Sequence, residues 1–276
     1  MMRKIEEKAA AMGKLGLFSC PVCGEKLGVE QTSLSCPNGH RFDLAKKGTV
    51  NFLAKPSQTE YDTPMLEARR RVLEAGFFAP FVDAISRQLG PQDVVLDVGC
   101  GEGTPTAQLA ASGAQTVGFD ISAPAIALAG RLATPAVFCV ADLARLPFTA
   151  ASFSAVVDLF SPGAYQEFNR VLRPGGRVFK VIPAAGYLQE LRTGLYAGTA
   201  KATYSNQAVL DRFMAAYPQA AQTPLAYDFP VTAAQFADVL KMTPLSWQAD
   251  PAKRAALLAK PPRSIHVAVV LLTVAP

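Results

Sequence analysis

The stretch Val94-Val95-Leu96-Asp97-Val98-Gly99-Cys100-Gly101-Glu102-Gly103-Thr104 decides the fold of this 276-residue chain. It reads as a buried strand that runs into a glycine-rich turn and then a helix. Gly99, Gly101 and Gly103 carry no Cβ, so the turn can take positive φ and a ligand can approach the backbone. Such a turn alone would also fit a dinucleotide site. Two features point elsewhere. The spacing is G-x-G-x-G rather than G-x-G-x-x-G, and Asp97 puts a carboxylate at the end of the strand. A pyrophosphate prefers a helix N-terminus without that charge. A cationic ligand bearing an amino group is better served by it.

Downstream the pattern alternates strand and helix, as a parallel α/β sheet requires. Strands are expected at 94–97, 115–119, 136–140, 154–160 and 177–182. Helices are expected at 104–112 and 125–132, with another before the turn Leu172-Arg173-Pro174-Gly175-Gly176. The region 183–276 reads as mostly helical, with strands near 226–231 and 265–275 to close the sheet. In open parallel sheets the ligand sits beyond the carboxyl ends of the strands. Asp97, Asp120 and Asp142 fall at three consecutive such ends. Asp120 suits the two hydroxyls of a ribose. Asp142 suits an exocyclic amine such as that of adenine, with the Leu143 N–H beside it. S-adenosylmethionine, with an adenosyl group, a sulfonium and an α-ammonium, fits this set.

Upstream, Cys20, Cys23, Cys36 and His40 form C-x2-C-x12-C-x3-H. Zinc takes four tetrahedral sulfur or nitrogen ligands, and a tight C-x2-C knuckle offers two thiolates at once. Gly28 to Ser35 has the length and composition of the hairpin that returns the second pair. A closed set of four ligands implies a structural ion, which a segment this small needs to hold itself together. Arg41, Phe42, Lys46, Lys47 and Phe52 follow. Phe42 and Phe52 are expected to pack the small core, and the lysines to be solvated. The chain thus divides into a ribbon at 14–54, a linker with helices at 55–90, and a large α/β domain at 91–276.

Residues 1–13 read as a short charged helix or a frayed arm. Thr63-Pro64 opens the helix that carries Arg69, Arg70 and Arg71 and stops at Gly76, with Thr63 as its N-cap. A second helix is expected from Pro80 to Leu89. One helix cannot point three successive arginines in one direction, so at most two share a task. Cys100 and Cys139 read as buried apolar residues, His266 as a satisfied strand histidine, and Trp247 as core.

Half of the residues are hydrophobic, 18% are charged and the formal net charge is +5. That profile belongs to a globular protein with a sizeable core. The charge permits an anionic partner such as nucleic acid, and it equally fits a basic soluble enzyme. Clustered cysteines point to metal rather than disulfides and to the cytoplasm. No apolar run reaches the length of a membrane span, and the first residues lack the apolar region of a signal peptide.

The block from Leu96 to Thr106, Asp120, Asp142 and the Leu-Arg-Pro-Gly-Gly turn resemble class I S-adenosylmethionine-dependent methyltransferases. With the ribbon, Glu67-Ala68-Arg69-Arg70, and Met242-Thr243-Pro244 with Trp247, the chain is similar to the 23S rRNA (guanine-N1)-methyltransferases from about Phe18 to Val274. The resemblance implies a Rossmann-like α/β sheet with a small N-terminal zinc ribbon, S-adenosylmethionine as cofactor and a structural Zn2+. It also implies 23S rRNA as partner and a homodimer. Carried over, the cofactor residues are Asp97, Gly99, Gly101, Glu102, Gly103, Thr106, Asp120, Ile121, Asp142 and Leu143. Phe78 stands where the family has a tyrosine, Thr104 and Pro105 where well-known members have aromatics, and Tyr187 where they have a histidine. No catalytic base is assigned; Asp158, inside its strand, reads as structural, and Glu190 and Tyr187 are weak candidates. Two other readings stay open: a small-molecule methyltransferase that keeps the ribbon as a lid, and an RNA-binding protein without activity. On this reading Cys23→Ser would cost the zinc and the ribbon while sparing cofactor affinity.

Overall fold

A computed structural model describes residues 3–57 and 60–275. Gln58 and Thr59, in the expected linker at 55–63, lie outside the described residues, as do Met1 and Met2 of the expected N-terminal arm. The chain begins with helix α1 (Lys4–Leu15) and the short strands β1 (Gly28–Glu30), β2 (Ser33–Ser35), β3 (Arg41–Asp43) and β4 (Val50–Asn51). Helices α2 (Thr63–Glu74) and α3 (Ala79–Ser86) follow. The alternating region comprises β5 (Val94–Val98), α4 (Thr104–Ala110), β6 (Gln115–Asp120), α5 (Ala123–Ala129), β7 (Val137–Val140), β8 (Phe153–Leu159), α6 (Tyr165–Val171) and β9 (Leu172–Pro183). The chain closes with α7 (Gln189–Tyr196), α8 (Gln207–Ala216), β10 (Ala221–Pro230), α9 (Ala233–Met242), α10 (Pro251–Ala259) and β11 (Ser264–Val274).

The large sheet has eight strands in the order β10-β11-β9-β8-β5-β6-β7-β4. Strands β4 through β9 run parallel within it, and β11 and β10 add on antiparallel. Successive strands β5, β6 and β7 step outward one way, and the chain then returns to place β8 on the other side of β5. The order therefore reverses between β5 and β8, and a crevice opens beyond their carboxyl ends. Strands β5 through β8 are apolar almost throughout because helices cover both faces.

Several boundaries differ from the sequence reading for identifiable reasons. Of the two forms expected over 1–13, the helix is the one present, and it is packed: Lys8, Ala9 and Met12 are buried, and the Lys8 ammonium donates to the Thr134 and Ala136 carbonyls. The N-cap of α2 is Asp62, which accepts from the Met65 N–H at 2.8 Å; Thr63 is already helical and Pro64 sits in the first turn. Strand β5 continues one residue past Asp97, so that carboxylate lies inside the sheet rather than at its rim. Helix α3 ends at Ser86, three residues early. Ala123 and Pro124 belong to α5, capped by Ser122, whose hydroxyl accepts from the Ala125 N–H.

The ribbon hairpin expected from Gly28 to Ser35 is present as β1 and β2, with β3 completing a three-stranded sheet. Its apolar residues join the core under the large sheet. Phe18 packs on Phe148 and Phe52, with ring centroids 5.5 and 5.8 Å away, and Phe52 packs edge-on against Phe42 at 5.1 Å. Backbone bonds join the units as well: Ser19 N–H to the Pro147 carbonyl, Thr149 N–H to Leu17, and Phe52 N–H to Val140.

Candidate functional site

In the ribbon, the ligand atoms of Cys20, Cys23, Cys36 and His40 all lie within 4.8 Å of one another. The Cys23 and Cys36 sulfurs are 3.7 Å apart, and Cys36 Sγ is 3.4 Å from His40 Nδ1. Two sulfurs bound at about 2.3 Å to a tetrahedral zinc stand about 3.8 Å apart, so the donor set fits the ion. Each knuckle is closed by a glycine in left-handed backbone, Gly24 and Gly39, both at φ 81°. The Gly24 N–H returns to the Cys20 carbonyl and the Gly39 N–H to that of Cys36. The Glu25 N–H, more than any other neighbour, lowers the Cys23 thiol to about 6, favouring the thiolate that a metal binds. With four protein ligands, such an ion keeps no open position for chemistry.

Beyond the carboxyl ends of β5 and β8 lies a cavity of about 460 Å³. Gly99 forms part of its floor. A Cβ built there would fall 2.0 Å from Ser161 Oγ, and φ is 64°, so only glycine fits. Asp120, at the end of β6, accepts the Gly101 N–H at 2.9 Å and the Ser122 N–H at 2.8 Å. Its carboxylate retains lone pairs for two further donors in the cavity. Asp142 Oδ1 accepts the Ala144 N–H, which fixes the turn that presents Leu143. Phe119, Ile121, Ala125 and Leu143 supply apolar walls.

The three arginines of α2 have three separate tasks. Arg70 pairs with Glu102 at 3.0 Å and also donates to its carbonyl, and Arg71 pairs with Asp238. Arg69 faces the cavity, its guanidinium carbon 5.2 Å from the centre of the Phe78 ring, and it has no carboxylate within ion-pair distance among the described residues. Phe78 contacts Phe160 at 5.3 Å, and Phe160 contacts Tyr187 at 5.4 Å. This aromatic cluster, Arg69 and Gly99 line one cavity, whose wall also includes Asp120 and Asp142. A free cation, two acceptor carboxylates and aromatic faces suit a ligand with a carboxylate, a nucleoside and a sulfonium. The residues present thus fit S-adenosylmethionine.

Of the residues named from sequence, Phe78, Gly99, Gly101, Asp120, Ile121, Asp142, Leu143 and Tyr187 line the cavity together. Asp97, Glu102, Gly103, Pro105 and Thr106 stand behind the wall. Asp97 is buried and accepts from the Thr106 hydroxyl at 2.5 Å. Burial pushes its carboxyl up to about 7. Glu102, also buried, accepts from Thr104 and holds Arg70, tying α2 to the glycine turn. Gly103 gives α5 room, since a Cβ there would lie 2.8 Å from that of Ala129.

Behind Ser161, Asp158 is buried and paired with Lys180 at 2.6 Å. Its other oxygen accepts the Ser161 N–H, and Lys180 donates to the Ser161 carbonyl. The structural role expected for Asp158 is therefore to hold this turn. Of the weak base candidates, Glu190 is engaged by the His266 N–H and does not line the cavity. The Tyr187 phenol is driven well above its usual range by burial, so it keeps its proton at neutral pH. His266 is satisfied by Asp228 at 2.7 Å, and Cys100 and Cys139 are buried. Among the wall residues without a role in the sequence reading are two aromatic ones, Phe160 and Tyr61. Phe160 is a non-glycine residue at φ 64°, a conformation without a sequence signal here. Tyr61 looked like linker; an aromatic ring within a polar stretch was the available sign.

Two outcomes follow from this geometry. Because the ribbon shares its core with the large sheet, stripping zinc with a chelator should lower the melting temperature of the whole chain in one transition. A loss of about 2 kcal/mol corresponds to roughly 4–8 °C for a domain of this size; calorimetry showing two separate transitions would refute the coupling. The second outcome concerns Asp97, which unfolded releases its proton near pH 4 and folded holds it to about 7. In that window the native state binds the extra proton, so Asp97 makes stability fall as pH rises from about 4 to about 7. Denaturant unfolding of Asp97→Asn across this range should show a shallower decline than the parent, the contribution from Asp158 remaining.

Residues 18–59 match the family model described as RlmA, N-terminal, and residues 95–176 match that of a methyltransferase domain. A putative 23S rRNA (guanine-N1)-methyltransferase of Bacillus subtilis is 39% identical over 88% of this chain and 90% of its own. The 23S rRNA (guanine(748)-N1)-methyltransferase of Streptomyces fradiae is 31% identical over 90% of this chain and 91% of its own. The solved structure of a phosphoethanolamine N-methyltransferase from Haemonchus contortus is 15% identical and covers 79% of this chain and 58% of its own. Its TM-score of 0.51 is a likeness of fold alone. With relatives of such identity matched along almost its whole length, and with both ribbon and sheet in place, the chain belongs to the 23S rRNA (guanine-N1)-methyltransferase family.

Proposed function

We propose that this protein methylates N1 of a guanine in 23S rRNA, with S-adenosylmethionine as donor. The observation that carries the reading is one cavity at the β5/β8 crevice that joins nucleoside-type acceptors to a free arginine, in a chain with this family's ribbon. When bound there, S-adenosylmethionine supplies an electrophilic methyl group on its sulfonium. Asp120 accepts from the ribose hydroxyls. Asp142 accepts from the adenine amine, and the Leu143 N–H donates to the ring. Arg69 takes the carboxylate of the amino-acid end, which leaves the Phe78, Phe160 and Tyr187 rings to exclude water. Guanine N1 carries a proton that must leave. Ser161, its backbone clamped by Asp158 and Lys180, lines the cavity from the β8 side and helps to shape it around the reacting groups. The target base must leave its stack to reach this depth.

Pairing of two chains, action in the cytoplasm and contact of the ribbon with RNA belong to the same reading. Among the described residues no helix is long and apolar enough to cross a membrane. The first ribbon knuckle, Cys20 to Gly24, lines a surface groove with Arg145 and with Arg170, which pairs with Glu167; Arg145 there suits an anionic partner.

Labelled S-adenosylmethionine incubated with 23S rRNA from a strain lacking the protein should place one methyl on a guanine N1, located by mass mapping of RNA fragments. Transfer to a small molecule and to no RNA would overturn the reading. Arg69→Gln should weaken S-adenosylhomocysteine binding by roughly 10- to 100-fold, the worth of a charged hydrogen bond. Binding of 5′-methylthioadenosine, which lacks the amino-acid end, should stay unchanged in calorimetry. Equal loss for both ligands would place Arg69 elsewhere.

A further inference from the structure

We propose that Tyr61 is the surface on which the extruded target base stacks, held at the cavity mouth by Trp247. The inference rests on the rRNA reading above and names the group that receives the substrate. Tyr61 lines the cavity and is 42% exposed, so one ring both borders the cavity and stays open to solvent. Trp247, partly buried against the core, meets it at 5.5 Å with an interplanar angle of 74°. That near-perpendicular contact fixes one ring with the other while much of Tyr61 stays open.

The pair also divides two spaces. On the far side lies a groove of about 580 Å³ that Trp247 lines with Lys241 and Arg254, and Glu60 and Asp62, the neighbours of Tyr61, line it too. Among the described residues neither cation has a carboxylate within ion-pair distance. Asp62 is occupied in capping α2. Two cations and two carboxylates line that groove; a strand whose phosphates meet Lys241 and Arg254 could turn one base inward past Tyr61. Unpaired bases of RNA are received in this way, by stacking on aromatic rings beside a cationic track.

The groups assigned to the adenosyl nucleoside, Asp120, Asp142 and Leu143, follow β6 and β7. Tyr61 meets Trp247, which follows the Met242-Thr243-Pro244 segment that also lines the cavity.

Trp247 is the single tryptophan of the chain, so its emission reports on this contact alone. Titration of the full-length protein, loaded with S-adenosylhomocysteine, with unmethylated 23S rRNA should quench it. Tyr61→Ala should lose the quench and lower kcat/KM for RNA by roughly 5- to 150-fold, the range for one stacked base. Tyr61→Phe, which keeps the ring, should restore most of both. Affinity for S-adenosylhomocysteine should be the same in all three proteins, which also shows that they are folded. Lys241→Glu with Arg254→Glu should weaken RNA binding and flatten its salt dependence. The proposal falls if Tyr61→Ala methylates RNA like the parent, or if its S-adenosylhomocysteine affinity drops in step, which would make Tyr61 part of the cofactor wall. If the parent protein methylates no RNA, the rRNA reading fails by itself; absence of the quench then removes the stacking surface as well.

Discussion

The approach of Ser161 to Gly99 sets the geometry on which the site depends. These residues lie just beyond the carboxyl ends of β8 and β5, the two strands between which the sheet order reverses. A methyl group in place of the Gly99 hydrogen would collide with the Ser161 hydroxyl. So small a gap is kept only if both strand ends are fixed. The β5 end is fixed by the Asp97 to Thr106 hydrogen bond, and the β8 end by Asp158 and Lys180. The cavity wall is therefore built on groups that never touch its contents. Preorganisation of that kind matters for methyl transfer, because the protein's part is chiefly to align and desolvate reactants.

The charges behind this wall are better understood as positioning devices than as sources of stability. Burying an ion pair costs about as much as its attraction returns, and apolar residues of the same shape often do as well. What Asp158 and Lys180 provide is directional: one accepts from the Ser161 N–H and the other donates to its carbonyl, so the two peptide units that flank the Ser161 Cα are both clamped. Glu102 and Arg70 do the same between α2 and the glycine turn. Because Arg70 and Arg71 are spent in this way, Arg69 alone of the three remains to meet a ligand. The twist of a helix makes that division unavoidable.

This separation of wall from scaffold also explains what could be seen in the sequence. The glycine turn, Asp120, Asp142 and the four zinc ligands were legible, because each is a residue type at a spacing that few other purposes require. Asp97 was legible as part of the constellation but not in its orientation. A carboxylate at the edge of a strand can face a ligand or a neighbouring hydroxyl, and Thr106, one helical turn into α4, decides the matter. Tyr61 was hidden because its role arises from a contact with Trp247, far away in sequence. The N-terminal helix was legible as one of two alternatives, but its docking was not, since nothing in the sequence pairs Lys8 with the Thr134 and Ala136 carbonyls.

The ribbon needs a further step of explanation, because its exit strand does more than lead away from the metal. Strand β4 pairs with β7 in parallel, Val50 opposite Cys139 and Asn51 opposite Val140. It thereby covers an edge that would otherwise expose unpaired backbone groups. The same pairing, with the Phe52 N–H bonded to the Val140 carbonyl, ends at the turn that carries Ala141, Asp142 and Leu143 into the cavity. A knob bound to RNA through a flexible tether would leave the distance between target base and methyl group to chance. A knob hydrogen-bonded to β7, the strand that leads into Asp142, is held at a fixed position relative to the cavity. A metal held by four protein ligands has no open coordination site, and it serves this architecture by stiffening the ribbon that β4 ties to the sheet.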